Sequence, residues 1–146
     1  MKKTIIIFSI IFCSILLIFC VSLTQNNKNL IEIKNENAEY EKYRNKEIFG
    51  TEVASVINKA VNQNIKNEVA KDEKGFYIAN ETNSINVEIK LINEEKLQTY
   101  KMETIQKVGT SGFVKNFNLI LFKCTSIEYH NQTGRVAKII FEQIEE

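Results

Sequence analysis

The stretch from Thr4 to Leu23 constrains this chain more than any other feature. It reads Thr-Ile-Ile-Ile-Phe-Ser-Ile-Ile-Phe-Cys-Ser-Ile-Leu-Leu-Ile-Phe-Cys-Val-Ser-Leu, with Lys2 and Lys3 before it and no charged residue inside it. About 20 such residues wound as a helix, at roughly 1.5 Å each, match the ~30 Å hydrocarbon core of a bilayer. Residues 1–24 are therefore expected to form a transmembrane anchor, with the lipid bilayer as first partner.

A secretory signal shares the basic start but carries an apolar stretch of about 7–15 residues and small residues before the cut. Here the run is longer, and the best cut, after Ser22, has Cys20 at the third position back. Length favours an uncleaved signal-anchor; a cleaved signal releasing a secreted soluble binding domain is the alternative. Cys13 and Cys20 invite comparison with a lipoprotein signal, yet Leu17-Ile18-Phe19 sets a bulky ring directly before Cys20. Lys2 and Lys3 precede the span, and Lys28 and Lys34 follow it. The positive-inside rule counts such residues near the span ends. The bias is small, and the signal-like start tips it towards N-inside. The expected address is the cell membrane, single-pass, with the C-terminal domain outside the cytoplasm.

After the span, about 120 residues remain, enough for one compact domain and not two. The net charge of +1, with acids and bases interspersed, leaves no electrostatic footprint for nucleic acid. The chain has no Pro, where average usage gives about seven, and its Lys, Asn and Ile content suits an AT-rich bacterial genome. Cys124 is the one cysteine outside the apolar run, so no disulfide closes within the domain. It is expected as a small buried residue on a strand. One His and one such Cys supply no metal-ligand spacing, and neither metal nor cofactor is expected. Asn80-Glu81-Thr82 and Asn131-Gln132-Thr133 fit the glycosylation acceptor pattern, at about the frequency this composition produces by chance.

Residues 25–50 read as a membrane-proximal helix, with a break near Asn26, running to about Phe49. Gly50 supplies its stop and Thr51 caps the next helix. From Thr51 to Asn64, Val53, Val56, Ile57, Ala60 and Val61 fall on one stripe, while Ser55, Asn58, Lys59, Asn62 and Gln63 take the wet side. Phe76 to Asn80 and Ile85 to Asn93 read as a hairpin, and the second arm alternates Ile85, Val87, Ile89, Leu91 against Asn86, Glu88, Lys90. Lys96 to Met102 is either a short strand or an irregular return. Glu103 to Val108 is a helical turn ended by Gly109. Thr110 or Ser111 caps another turn that sets Phe113 and Phe117 on one side.

Asn118 to Tyr129 and Arg135 to Ile144 form a second hairpin, joined through a loop containing His130 and Gly134. Ile127 and Tyr129 are out of phase with Ile120, Phe122 and Cys124, which predicts a bulge near Thr125-Ser126. The second arm is apolar on both faces and is expected at the sheet's centre. The fold class is α+β: an N-terminal transmembrane helix, then helices packed on a small, mainly antiparallel four-stranded sheet, with the head at residues 51–146.

Leu121-Phe122-Lys123-Cys124, followed by Arg135, resembles the Cys and Arg strands of sortases, which are anchored transpeptidases. That family pairs its Cys with a His well upstream. Residues 25–123 contain none, and the single His130 lies downstream in a loop, expected to face solvent. Without a base the thiol is not activated, and the sortase-like reading is rejected. Glu94, Glu95, Glu142, Glu145 and Glu146 read as solvated charge. In overall layout, a membrane helix continuing into a helix on a small antiparallel sheet resembles type IV pilins and pseudopilins. That resemblance implies a subunit of a fibre or secretion system. Such subunits are cut before the apolar run, usually after Gly, and carry Glu at the fifth mature position; here no Gly precedes Gly50 and no Glu lies in the run. Tyr40 and Tyr43 are the candidate partner contacts, the alternative being packing on their own sheet. The expectation is a single-pass, anchored, non-enzymatic binding or scaffolding protein of a bacterial envelope, meeting other envelope or filament proteins.

Overall fold

A computed structural model describes residues 2–93 and 96–145, with side chains at Ile7 and from Ile11 onward. Glu94, Glu95 and Glu146, expected as solvated charge, lie outside the described residues. The chain divides into two compact units, residues 1–35 and residues 36–146.

The first unit is helical throughout its described length and belongs to α1 (Lys2–Glu41). The large apolar side chains from Ile11 to Leu23 are 46–70 % exposed, including five consecutive ones from Ile15 to Phe19. Five neighbours in a row cover every face of a helix, and a helix apolar all round needs either a protein core or a membrane around it. Among the described residues, one helix is long and apolar enough to cross a membrane. The expected break near Asn26 does not occur. A polar residue in a solvated helix costs only about 0.7 kcal/mol of propensity, too little to stop one already propagating.

The second unit begins at Glu36, and its first element is the end of α1. This helix stops at Glu41, well before the expected Phe49, and the chain turns through Asn45 at φ +57°. Asn45 donates to the Cys124 carbonyl (3.2 Å) and the Cys124 N–H donates to that of Lys46 (3.0 Å). These bonds draw the next residues into an edge strand, β1 (Glu47–Phe49), in place of a helical last turn.

Gly50 also does a different job from the one expected. It is the first residue of α2 (Gly50–Lys66), and a Cβ there would lie 2.0 Å from the Phe117 carbonyl oxygen. Its N–H donates to Ile120 O (3.0 Å), so glycine is required by close backbone approach rather than by a helix stop. Thr51 is not the cap; the Glu52 carboxylate accepts from the Phe49 N–H (3.3 Å). The apolar stripe is as read, with Val53, Val56, Ile57, Ala60 and Val61 all buried.

The sheet has five strands rather than four, in the order β1-β4-β5-β2-β3. The partner of β2 (Asn86–Asn93) is β3 (Lys96–Lys101), pairing Glu88 with Lys101 through to Asn93 with Lys96. Phe76 to Asn80 therefore does not pair with β2: Tyr77 bridges Lys71, and the Ile78 N–H donates to Ala70 O (2.8 Å). The Asn80 Oδ1 accepts from the N–H groups of Thr82, Asn83 and Ser84 (2.8–3.1 Å), closing residues 80–84 into a local turn. Two short helices, α3 (Met102–Val108) and α4 (Thr110–Phe117), follow, separated by Gly109 at φ +94°. Phe113 and Phe117 stack at 4.9 Å and lean on Phe122.

The hairpin of β4 (Leu121–Tyr129) and β5 (Val136–Gln143) shifts register between Cys124 and Ser126, the bulge the phase slip predicts. β5 sits mid-sheet, antiparallel to β4 and parallel to β2. One face packs Val87, Ile89, Phe122, Cys124, Ile139 and Phe141 into the helix-covered core. The other carries ion pairs between β2 and β5, Lys90 to Glu142 (2.6 Å) and Lys138 to Glu88 (3.0 Å). The fold is α+β: an N-terminal long apolar helix, further helices and a mostly antiparallel sheet.

Two asparagines stitch helices to the backbone where β2 and β5 begin. Asn64, fully buried on α2, donates to Ile85 O and accepts from Ile85 N–H (both 2.8 Å). Asn37 donates to Gly134 O (2.8 Å) and accepts from Val136 N–H (2.9 Å). Beside it Glu36 pairs with Arg135, Glu39 with Lys59, and Tyr129 donates to Glu41 (2.7 Å).

Candidate functional site

Where β2 and β5 begin and β3 ends, the head holds a polar cleft of about 290 Å³. The start of the parallel pair brings Asn86 and Lys138 side by side, since they are register partners. Lys101 arrives from the last position of β3, and Glu103 from the first turn of α3. The coiled segment after α2 adds Tyr77, Asn80 and Ser84; the β4–β5 loop adds His130.

Glu103 is 4 % exposed. One carboxylate oxygen accepts from the Tyr77 N–H (3.1 Å), while the other, Oε2, has no hydrogen-bond partner among the described residues. Asn86 Oδ1, on the same cleft, is buried and unpartnered in the same way. An acceptor left unsatisfied away from water costs about 1–3 kcal/mol, more when charged, so two orphans in one hollow are a specific feature. Of the two lysines, Lys138 is held by Glu88, and Lys101 lies over the Phe76 ring, 5.8 Å from its centroid. Among the described residues, no group of three or more His, Cys, Asp or Glu is placed to hold a metal.

His130 faces inward, against expectation: it is 7 % exposed, and Nε2 stands 2.7 Å from the Ser84 carbonyl oxygen. A carbonyl only accepts, so that nitrogen carries the proton and the ring locks the two loops together. Thr133 Oγ1 donating to Thr82 O (2.7 Å) adds to the same seam. The residues that resemble the sortase constellation are not assembled. Cys124 is buried, its Sγ lies 3.9 Å from Ser126 O, and burial pushes its thiol pKa up. His130 lies six residues further along the strand direction, ~20 Å at strand rise, and Arg135 is engaged with Glu36. Cys124 is the small buried strand residue its isolation suggested.

The structure sets both tyrosine candidates against the head's own core. Tyr40 is 3 % exposed, and burial, reinforced by Glu36 and Glu39, raises its phenol pKa. Tyr43 meets Phe141 edge-on, centroids 6.4 Å apart. Glu142, read as solvated charge, is instead held by Lys90, whose hydrogen bond lowers its carboxyl pKa against the opposing effect of burial. The cleft residues Glu103, Asn86, Tyr77, Lys101 and Lys138 carry no local signal in the sequence; Glu103 sits between Met102 and Thr104 like any first-turn acid. A second hollow, about 300 Å³ and mainly apolar, lies between α3, α4 and the β2–β3 pair, lined by Leu91, Tyr100, Ile105, Val108, Phe113 and Phe117.

No family model, curated protein or solved structure matches this chain.

Proposed function

We propose that this chain is a single-pass, membrane-anchored protein of a bacterial envelope whose α+β head, outside the cytoplasm, binds or scaffolds rather than catalyses. The observation that supports the anchor is a helix apolar on every face across its Ile11–Leu23 stretch. What supports a binding head is a cleft with two unsatisfied acceptors, in a domain whose lone Cys and His are each occupied structurally. The test is alkaline carbonate extraction of the expressed full chain, followed by protease treatment of intact cells stripped of their wall. The expected result is a membrane-retained polypeptide whose head is digested from outside. A chain that washes off intact, or a mature N-terminus near Leu23 in the culture fluid, overturns the anchored reading in favour of a secreted domain.

A pilin-like or pseudopilin-like subunit is the second reading, favoured by the unbroken run of α1 from Lys2 to Glu41. Intact mass from membranes separates the two: loss of the first few residues with N-methylation supports a filament subunit, and their retention opposes it.

A further inference from the structure

We propose that the polar cleft is a binding site for a small zwitterion, an α-amino acid or short peptide, whose ammonium group is taken by Glu103 and Asn86 and whose carboxylate is taken by Lys101. The inference deepens the binding reading above and rests on it.

The cleft supplies acceptors in one place and a cation in another. Among the described residues Glu103 Oε2 and Asn86 Oδ1 both lack donors, and an ammonium brings three N–H donors and a positive charge, enough for both. A neutral hydroxyl brings one donor and no charge, and leaves the buried carboxylate uncompensated. A metal ion would need further ligands of a kind the described residues do not provide here. Lys101 lies across from Glu88, whose carboxylate is engaged by Lys138, and supplies the complementary charge at the exposed end of β3. Lys138 is already paired to Glu88, which leaves Lys101 to receive the anion. At about 290 Å³, the hollow lies at the small end of ligand sites, suited to an amino acid or dipeptide rather than a larger molecule. Both oxygens are shielded from bulk water, so this binding mode requires Glu103 and Asn86 to turn towards the cleft. The His130–Ser84 bond fixes the neighbouring loops and keeps the cleft formed.

The test is isothermal titration calorimetry on the full chain in detergent micelles, with L-alanine, L-alanyl-L-alanine, N-acetyl-L-alanine and L-alanine amide as probes. Saturable binding of alanine or the dipeptide is expected, and the stronger of the two identifies the source. Acetylation, which removes the ammonium, is expected to abolish binding, and amidation, which removes the carboxylate, to weaken it about tenfold. In the wild-type chain, equal binding of the acetylated and free forms overturns the proposal, as does heat from none of the four at millimolar concentration, the result if water alone satisfies the orphans. Glu103→Gln keeps the acceptor for Tyr77 and is expected to weaken alanine by about tenfold or more. Lys101→Gln is expected to weaken alanine but leave alanine amide unchanged; a Lys101 variant that alters both alike counts against the assigned orientation. Absence of binding in a chain that still resists carbonate removes the ligand while leaving the anchor. Turnover of the dipeptide, seen by mass spectrometry, leaves the site and overturns the non-catalytic reading.

Discussion

Two helices of this molecule carry aliphatic residues to opposite ends. On α1, Ile15, Leu17 and Ile18 are 59–70 % exposed; on α2, Val53, Val56 and Ile57 are at most 1 % exposed. The difference lies in distribution around the axis. In α2, polar Ser55, Asn58 and Asn62 interrupt the apolar residues at helical spacing, so one face meets the sheet and the other meets water. In the Thr4–Leu23 run no charge breaks the circle, and no single protein face accommodates a cylinder greasy on all sides. The run is also the richer in apolar residues, 16 of 20 against 7 of 17 in α2, but the count alone does not say what each helix packs against. Angular spread separates a helix that needs a sheet from one that needs a solvent of its own kind.

Four variants break or sharpen that contrast. Phe12→Lys with Ile15→Lys has the largest effect. Each charge near mid-span costs about 2.5–3.5 kcal/mol of insertion. The doubly substituted chain is expected in the carbonate supernatant with its head still folded. All five tyrosines lie in residues 36–146, so tyrosine fluorescence during urea unfolding reports on the head alone. Ile57→Ala should do the reverse, lowering head stability by about 2–5 kcal/mol while leaving membrane retention intact. Loss of both properties in either variant would mean that the two helices do not act independently.

Gly50→Ala comes next. Its new methyl meets the Phe117 carbonyl, so α2 and α4 must separate, at a cost of roughly 1–3 kcal/mol measured as a shift in the same urea midpoint. The smallest effect concerns pH. The Glu142 carboxyl has its pKa lowered by Lys90, so its contribution is complete above the unfolded value, about 4.3, and is lost as the pH falls through the lower folded one. Both partners are about a third exposed, so Glu142→Gln is expected to flatten the acid limb of stability by no more than ~0.5 kcal/mol. An unchanged limb would show that the pair contributes nothing.

What could be read from the sequence was whatever repeats at short range. The α2 stripe, the alternation of β2, the two-sided strand that became central β5 and the phase slip that became the bulge all lie within a dozen residues of themselves. What could not be read depends on distant partners. Nothing near Asn45 announces that Cys124, 79 positions on, will pull β1 out of a helix. Gly50 looks like punctuation until Phe117 is beside it. Asn64 looks like one more wet-side residue of an Asn-rich chain, yet it closes two bonds on Ile85. The candidate site fared worst, because Glu103 and Asn86 matter through bonds they fail to make, and an unmade bond leaves no local pattern.

The parallel pairing of β2 with β5 carries a consequence for how the protein comes into being. The strand at the heart of the sheet is the last in chain order, and β2, some fifty residues earlier, has to wait for it. A nascent head therefore holds an open seam between β4 and β2 until β5 emerges. Maturation becomes a single late event, and a polypeptide cut short before Val136 leaves two raw edges for quality-control proteases to find.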